Sequence, residues 1–122
     1  MKAEELMIGD WLYHVDDVDI SNPQIVTGIL SNGEIYVDGV ISDISDYNPI
    51  PLTPEILEKN GFELLTDTWY FKPKERKPIH IRFVDEHIVV SINCSIIPMG
   101  LKHVHQLQHA LRLCGISKEI VL

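Results

Sequence analysis

This 122-residue chain has only two cysteines, Cys94 and Cys114, without C-x-x-C spacing. That excludes a disulfide-stapled scaffold and makes two free thiols the expectation. No apolar run approaches the ~20 residues needed to cross a bilayer, so no membrane span is expected. The start, "MKAEELMIGDWLY", lacks an apolar h-region and a small-residue cleavage site, so it does not read as a signal peptide. Cytoplasm is the expected location. There is no G-x-G-x-x-G, no P-loop, no G-x-S-x-G and no H-E-x-x-H, so no known catalytic spacing is present and no cofactor is expected.

Positive charge is also scarce, and unevenly so. Residues 1–50 hold one base, Lys2, against ten acids: Glu4, Glu5, Asp10, Asp16, Asp17, Asp19, Glu34, Asp38, Asp43 and Asp46. The remainder is nearly neutral, and the whole chain carries −8. An acidic half repels phosphate backbones, so nucleic acid is not the expected partner. Hydrophobic residues make up 45% of the chain, enough to build a core without metal or disulfide help.

The clearest structural signal is "QIVTGILSNGEIYVDGVISDI". Apolar runs flank Asn32-Gly33 and Asp38-Gly39, dipeptides suited to two-residue type I′ turns. The reading is a meander of strands over 24–31, 34–37 and 40–44. Leu30 then lies opposite Ile35, Ile29 opposite Tyr36, and Val37 opposite Val40. One face gathers Val26, Leu30, Ile35, Val37, Val40 and Ile44 as core. The other carries Ile25, Ile29, Tyr36 and Ile41 among polar residues. That second face is too apolar to be fully wet, which makes those four residues the candidate partner-binding surface. Upstream, the strand at 10–15 follows Gly9-Asp10, and this opening looks like that of a small SH3-like barrel.

In "PLTPEILEKNGF", Thr53 is the N-cap, Pro54 the first helical residue, Gly61 the C′ residue and Phe62 the following hydrophobic contact. "TWYFK" reads as a strand. "IHIRFVDEHIVVSIN" reads as a hairpin around Asp85-Glu86, with Ile79, Ile81, Phe83, Ile88, Val90 and Ile92 on one face and His80, Arg82, His87 and Val89 on the other. A final helix spans about 103–114 and stops at Gly115-Ile116, and "KEIVL" is a candidate edge strand. The fold class is α+β: an acidic SH3-like antiparallel meander over 1–50, then a short helix and an antiparallel hairpin sheet packed by a C-terminal helix over 51–122.

Half of the six histidines lie in "HVHQLQHALRLCG": His103, His105 and His109. At 100° per residue, Val104, Leu107, Leu111 and Cys114 form an apolar arc, and His105, His109 and Arg112 fall on the far side. A solvated face is therefore expected. A metal site would need further ligands, and His80 and His87 are the candidates. The zincin position for Glu is Gln106, and Arg112 opposes a cation, so no metal is expected. "DDVDISN" begins like an EF-hand loop, but Gly28 stands where a bidentate Glu belongs. "KPKERKP" reads as a solvated basic loop.

The stretches "PIPLTPEILEKNGFE" and "VHQLQHALRLCGISKE" resemble a family of short uncharacterised proteins of anaerobic gut bacteria and of their phages and mobile elements. Members share an "EL-x-I-G-(N/D)" start, a central "P-I-P-L-T" segment ending in "G-F", and a "V-H-Q-L-Q" helix. Here these are Glu5 to Asp10, Asn48 to Phe62 and Val104 to Gln108. The resemblance implies that His105, Gln106 and Gln108 belong to a recurrent motif, and it implies no activity. The expected function is a non-enzymatic protein-binding module of a bacterial or mobile-element accessory system, binding a protein partner or itself. The alternatives are a hydrolase or metal-binding protein using the histidines, and an acidic mimic of nucleic acid.

Overall fold

Ten short strands and two helices account for the regular structure in a computed structural model that describes all residues except 1, 3, 4, 18, 19, 73–77, 86, 93, 94, 97–100 and 117. The chain divides into two compact units, Met1–Pro51 and Leu52–Leu122. Each holds one antiparallel sheet, and the second holds both helices.

The first unit contains β1 (Trp11–His14), β2 (Gln24–Ile29), β3 (Ile35–Val37), β4 (Val40–Ser42) and β5 (Tyr47–Pro49), in the spatial order β4-β3-β2-β1-β5. A 3₁₀ turn over Ile44–Asp46 leads from β4 to β5. Its start is capped by Asp43, whose carboxylate accepts from the Ser45 N–H at 2.9 Å. The sheet is open, so the structure supports α+β with an antiparallel meander and does not close it into a barrel. Its core is Leu6, Leu12, Val26, Ile35 and Val37, with Ile44 and Tyr47 packed against them.

Asp38-Gly39 forms the expected two-residue turn, with positive φ at both residues and Val37 paired to Val40. Asn32-Gly33 does not. Leu30 and Glu34 close a three-residue loop through a 2.9 Å backbone bond, and only Gly33 has positive φ. This is a type I turn followed by a left-handed glycine, the three-residue hairpin solution. Asn32 instead accepts the Glu34 N–H on its side chain at 3.0 Å.

The expected register fails at a second place. A bulge at Thr27 pairs Val26 with Val37 but Gly28 with Tyr36, so Ile29 lies opposite Ile35 rather than Tyr36. Directly opposed residues share a face. Ile29 therefore moves to the core side of the sheet, at its rim. Val40 lies opposite Val37 on that side, yet it stands on the edge strand and is 66% exposed rather than core. The bulge is pinned, because Thr27 Oγ1 accepts the Gly39 N–H at 2.9 Å.

The second unit is a meander of β6 (Glu63–Leu65), β7 (Thr68–Phe71), β8 (Ile79–Val84), β9 (His87–Ile92) and β10 (Ser95–Ile96) in sequential order. Ile79, Ile81, Ile88, Val90 and Ile92 are buried as the alternation requires. Phe83, at the strand end, is 36% exposed. Neither β5 nor β6 was expected from pattern: each has three residues, as β3 and β4 do, but lacks the Asn-Gly or Asp-Gly hairpin turn that marks those two.

Helix α1 (Pro54–Lys59) begins where Thr53 accepts the Ile56 N–H, and helix α2 (Val104–Leu113) begins at His103. Both end in the same way. Phe62 N–H bonds Leu57 C=O and Gly61 N–H bonds Glu58 C=O; Ile116 N–H bonds Leu111 C=O and Gly115 N–H bonds Arg112 C=O. Each is a Schellman stop with a left-handed glycine, as expected from the two Gly-apolar pairs. The tail 118–122 is not a strand. Side-chain amides hold it instead.

No helix among the described residues is long and apolar enough to cross a membrane. The basic loop "KPKERKP" lies largely outside the described residues, as does Cys94. Cys114 is exposed with a free thiol.

Candidate functional site

Two places gather the residues that the sequence singles out: the outer face of the first sheet and the start of α2. On the sheet, Ile41, Tyr36 and Gly28 form one cross-strand row, and Ile25 lies opposite Trp11 on the same outer face. Ile41 is 54% exposed, and Ile25 and Tyr36 are half-buried. Gly28 has a packing reason for being glycine. A Cβ there would come within 2.9 Å of Tyr36 Cδ2, so the ring lies against the β2 backbone. Of the four expected surface residues, the structure brings together Ile25, Tyr36 and Ile41, and the bulge removes Ile29.

Acids border this face. Asp38 sits in the β3–β4 turn, where its carboxylate accepts the Ile25 N–H at 3.1 Å and its own N–H bonds Ile25 C=O. Asp43 follows β4 directly. Hydrogen bonds from the Ser45 N–H and hydroxyl hold its carboxyl below the usual carboxylate range. Asp10 is different, because it is buried. Its carboxylate accepts the Met7 N–H at 2.7 Å, and its backbone carbonyl accepts from Val26. The Gly9-Asp10 signature thus builds the entry to β1.

At α2, burial overturns the expected solvated histidine face. His105 is 4% exposed and His109 is half-buried. The imidazoles form a row: His103 stacks on His105 at 5.8 Å between centroids, and His105 meets His109 edge-on at 5.4 Å. The helix is buried over an arc of about 220°, wider than an apolar stripe needs. Arg112 pairs with Glu119 at 3.2 Å. His80 packs on Tyr70, and His87 stands exposed at the start of β9. Among the described residues no group of three or more His, Cys, Asp or Glu is placed to hold a metal ion.

The two glutamines of "V-H-Q-L-Q" have structural partners. Gln106 Oε1 accepts the N–H groups of Lys102 (2.8 Å) and His103 (3.0 Å), the reach-back half of a capping box. Gln108 is 4% exposed. Its amide donates to Lys118 C=O at 2.9 Å and accepts Ile120 N–H at 2.7 Å, pairing with the tail as a strand would. Asn60 does the same one residue on. It donates to Val121 C=O, accepts Val121 N–H, both at 2.8 Å, and also donates to Ile56 C=O. Asn60 went unread in the sequence, where it looked like an ordinary helix end. Gln108 left one signal: at 100° per residue it lies about 40° from Val104, inside the apolar arc.

Burial holds the His103 imidazole below its ordinary value; the Lys102 charge adds to this, and the Gln106 hydrogen bond opposes it. A histidine kept neutral by the fold stabilises it fully above the unfolded value of about 6.5, and that contribution is lost as pH falls toward the lowered folded value. Stability measured by urea midpoint should therefore drop between pH 7.5 and 5.5. The drop should be smaller in His103→Asn, which keeps a capping side chain. Equal drops in both proteins would remove His103 from the linkage.

Comparison with family models, with curated proteins and with solved structures found no match for this chain.

Proposed function

We propose that the chain is a cytoplasmic, non-enzymatic protein-binding module of a bacterial or mobile-element accessory system, and that its first unit is a variant of the SH3-like fold. The strand order β5-β1-β2-β3-β4, with a 3₁₀ turn before the last strand, supports the fold reading. The single observation that carries the functional reading is Ile41, more than half exposed on a sheet face it shares with Tyr36 and Ile25. An apolar row on the outside of a sheet is a contact surface in waiting. Among the described residues, the row of His103, His105 and His109 is not a group placed to hold a metal ion, so it lends the metal reading no support. The nucleic-acid mimic loses one of its ten acids, because Asp10 is buried.

The test compares proteins retained from the native host by wild type, by Ile41→Asp and by Leu113→Asp. Leu113 is 80% exposed on α2 in the other unit. A partner held by wild type and Leu113→Asp, but at least tenfold less by Ile41→Asp, is the expected result. A partner lost only with Leu113→Asp would move the interface to the second unit.

A further inference from the structure

We infer that the outer face of the first sheet takes a cationic, aliphatic-bearing segment of a partner protein in extended form; this rests on reading that face as an interface. Three observations converge on that occupant. The first is charge. Residues 1–50 contain one base and ten acids, so a second copy of this chain would bring like charges together, whereas a cationic segment is steered in. The second is where the acids stand. Asp38 and Asp43 bracket β4, one in the turn before it and one directly after it, and both are exposed. Their positions are fixed by bonds to Ile25 N–H and to Ser45, so they present charge without first having to order a mobile side chain. The third is the surface between them. Ile41 and Tyr36 form an aliphatic-aromatic row, with the Tyr36 ring laid on Gly28. An aliphatic side chain packs on such a row, and an aromatic ring beside acids also favours Lys or Arg.

The spacing sharpens the proposal. Asp38 and Asp43 are separated by a turn residue and a three-residue strand, on the order of 15 Å at about 3.3 Å per residue. An extended segment lying along β4 would meet both acids with two bases about four residues apart and an aliphatic residue between them. The edge strand itself is too short to template a long added strand, so recognition falls to side chains.

The experiment pans a display library of random dodecapeptides against the full chain at low salt, then measures the enriched peptides against variants. Asp38→Asn and Asp43→Asn keep the turn and the cap, because asparagine suits both positions, and remove only charge. Ile41→Ser removes the apolar contact from an exposed edge. The expected result is enrichment of peptides with two Lys or Arg about four residues apart around an aliphatic residue. Their affinity should fall at least tenfold in the Asp38→Asn/Asp43→Asn double variant and at least tenfold in Ile41→Ser. Enriched peptides that are neutral or acidic, and are lost with Ile41→Ser, overturn the cationic occupant and leave the interface standing. Cationic peptides bound equally by both variants attach through net charge alone and overturn the proposal. So does a library that yields no binder, while the capture comparison with Ile41→Asp still judges the face itself.

Discussion

Asn60→Ala is expected to lower the stability of the second unit by about 3 kcal/mol. The side chain is 3% exposed and makes three bonds of 2.7–2.8 Å: one to Ile56 C=O and a two-way clamp on the Val121 backbone. Alanine removes all three; Ile56 C=O keeps the backbone N–H of residue 60, while Val121 N–H and C=O lose their clamp. A net hydrogen bond contributes about 1 kcal/mol, and stranding a buried partner costs about 1–3 kcal/mol. Against a total stability of roughly 5–15 kcal/mol this is a large fraction. A denaturation midpoint within ~0.5 kcal/mol of wild type would show that the tail is held by other means.

Gln108→Ala should cost about 2–3 kcal/mol by the same reasoning. Its amide faces Lys118 C=O and Ile120 N–H from inside the packed side of α2, where water does not replace it easily. The two predictions are coupled, because both amides hold the segment 118–121. Once one is gone the tail frays, and the other has less to hold. The double variant should fall short of the sum by about 1 kcal/mol, which a double-mutant cycle measures. Additive losses would mean that the clamps act on separate structures. Limited proteolysis offers a second readout: cleavage near Lys118 should accelerate in either variant.

These clamps give the V-H-Q-L-Q segment of α2 a structural meaning. The expectation for His105, Gln106 and Gln108 was membership of a recurrent motif, with no activity implied. Gln106 caps the helix and Gln108 fastens the tail, so two of the three have structural work to explain their presence. The Gly-Asp at the start and the Asn-Gly-Phe at the end of α1 fall in the same class, with Asp10 and Asn60 both buried and hydrogen-bonded. What the candidate surface uses instead is unremarkable in sequence: an isoleucine, a tyrosine and an aspartate on either side of a short strand.

Sequence alone determined the features that a few neighbouring residues decide. The Thr53-Pro54 start, both Gly-apolar helix stops, the Asp38-Gly39 turn and the buried alternation of β8 and β9 were all legible, because caps, turns and pleat alternation depend on interactions spanning at most a turn or a strand pair. The candidate face was legible in part: Ile25, Tyr36 and Ile41 share it, and Ile29 does not. A single extra residue at Thr27 decided that, and its side-chain bond to Gly39 twelve residues away has no local signature. The histidine face was misread for a related reason. Helical stepping says which residues share a side, but only the surrounding fold says how wide a side is covered, and α2 is covered past His105. The Asn60–Val121 clamp joins partners that lie 61 residues apart in the chain. Tertiary structure alone could decide it, because a buried amide takes whichever backbone groups the completed core brings to it, and that core exists only once the distant segments have met.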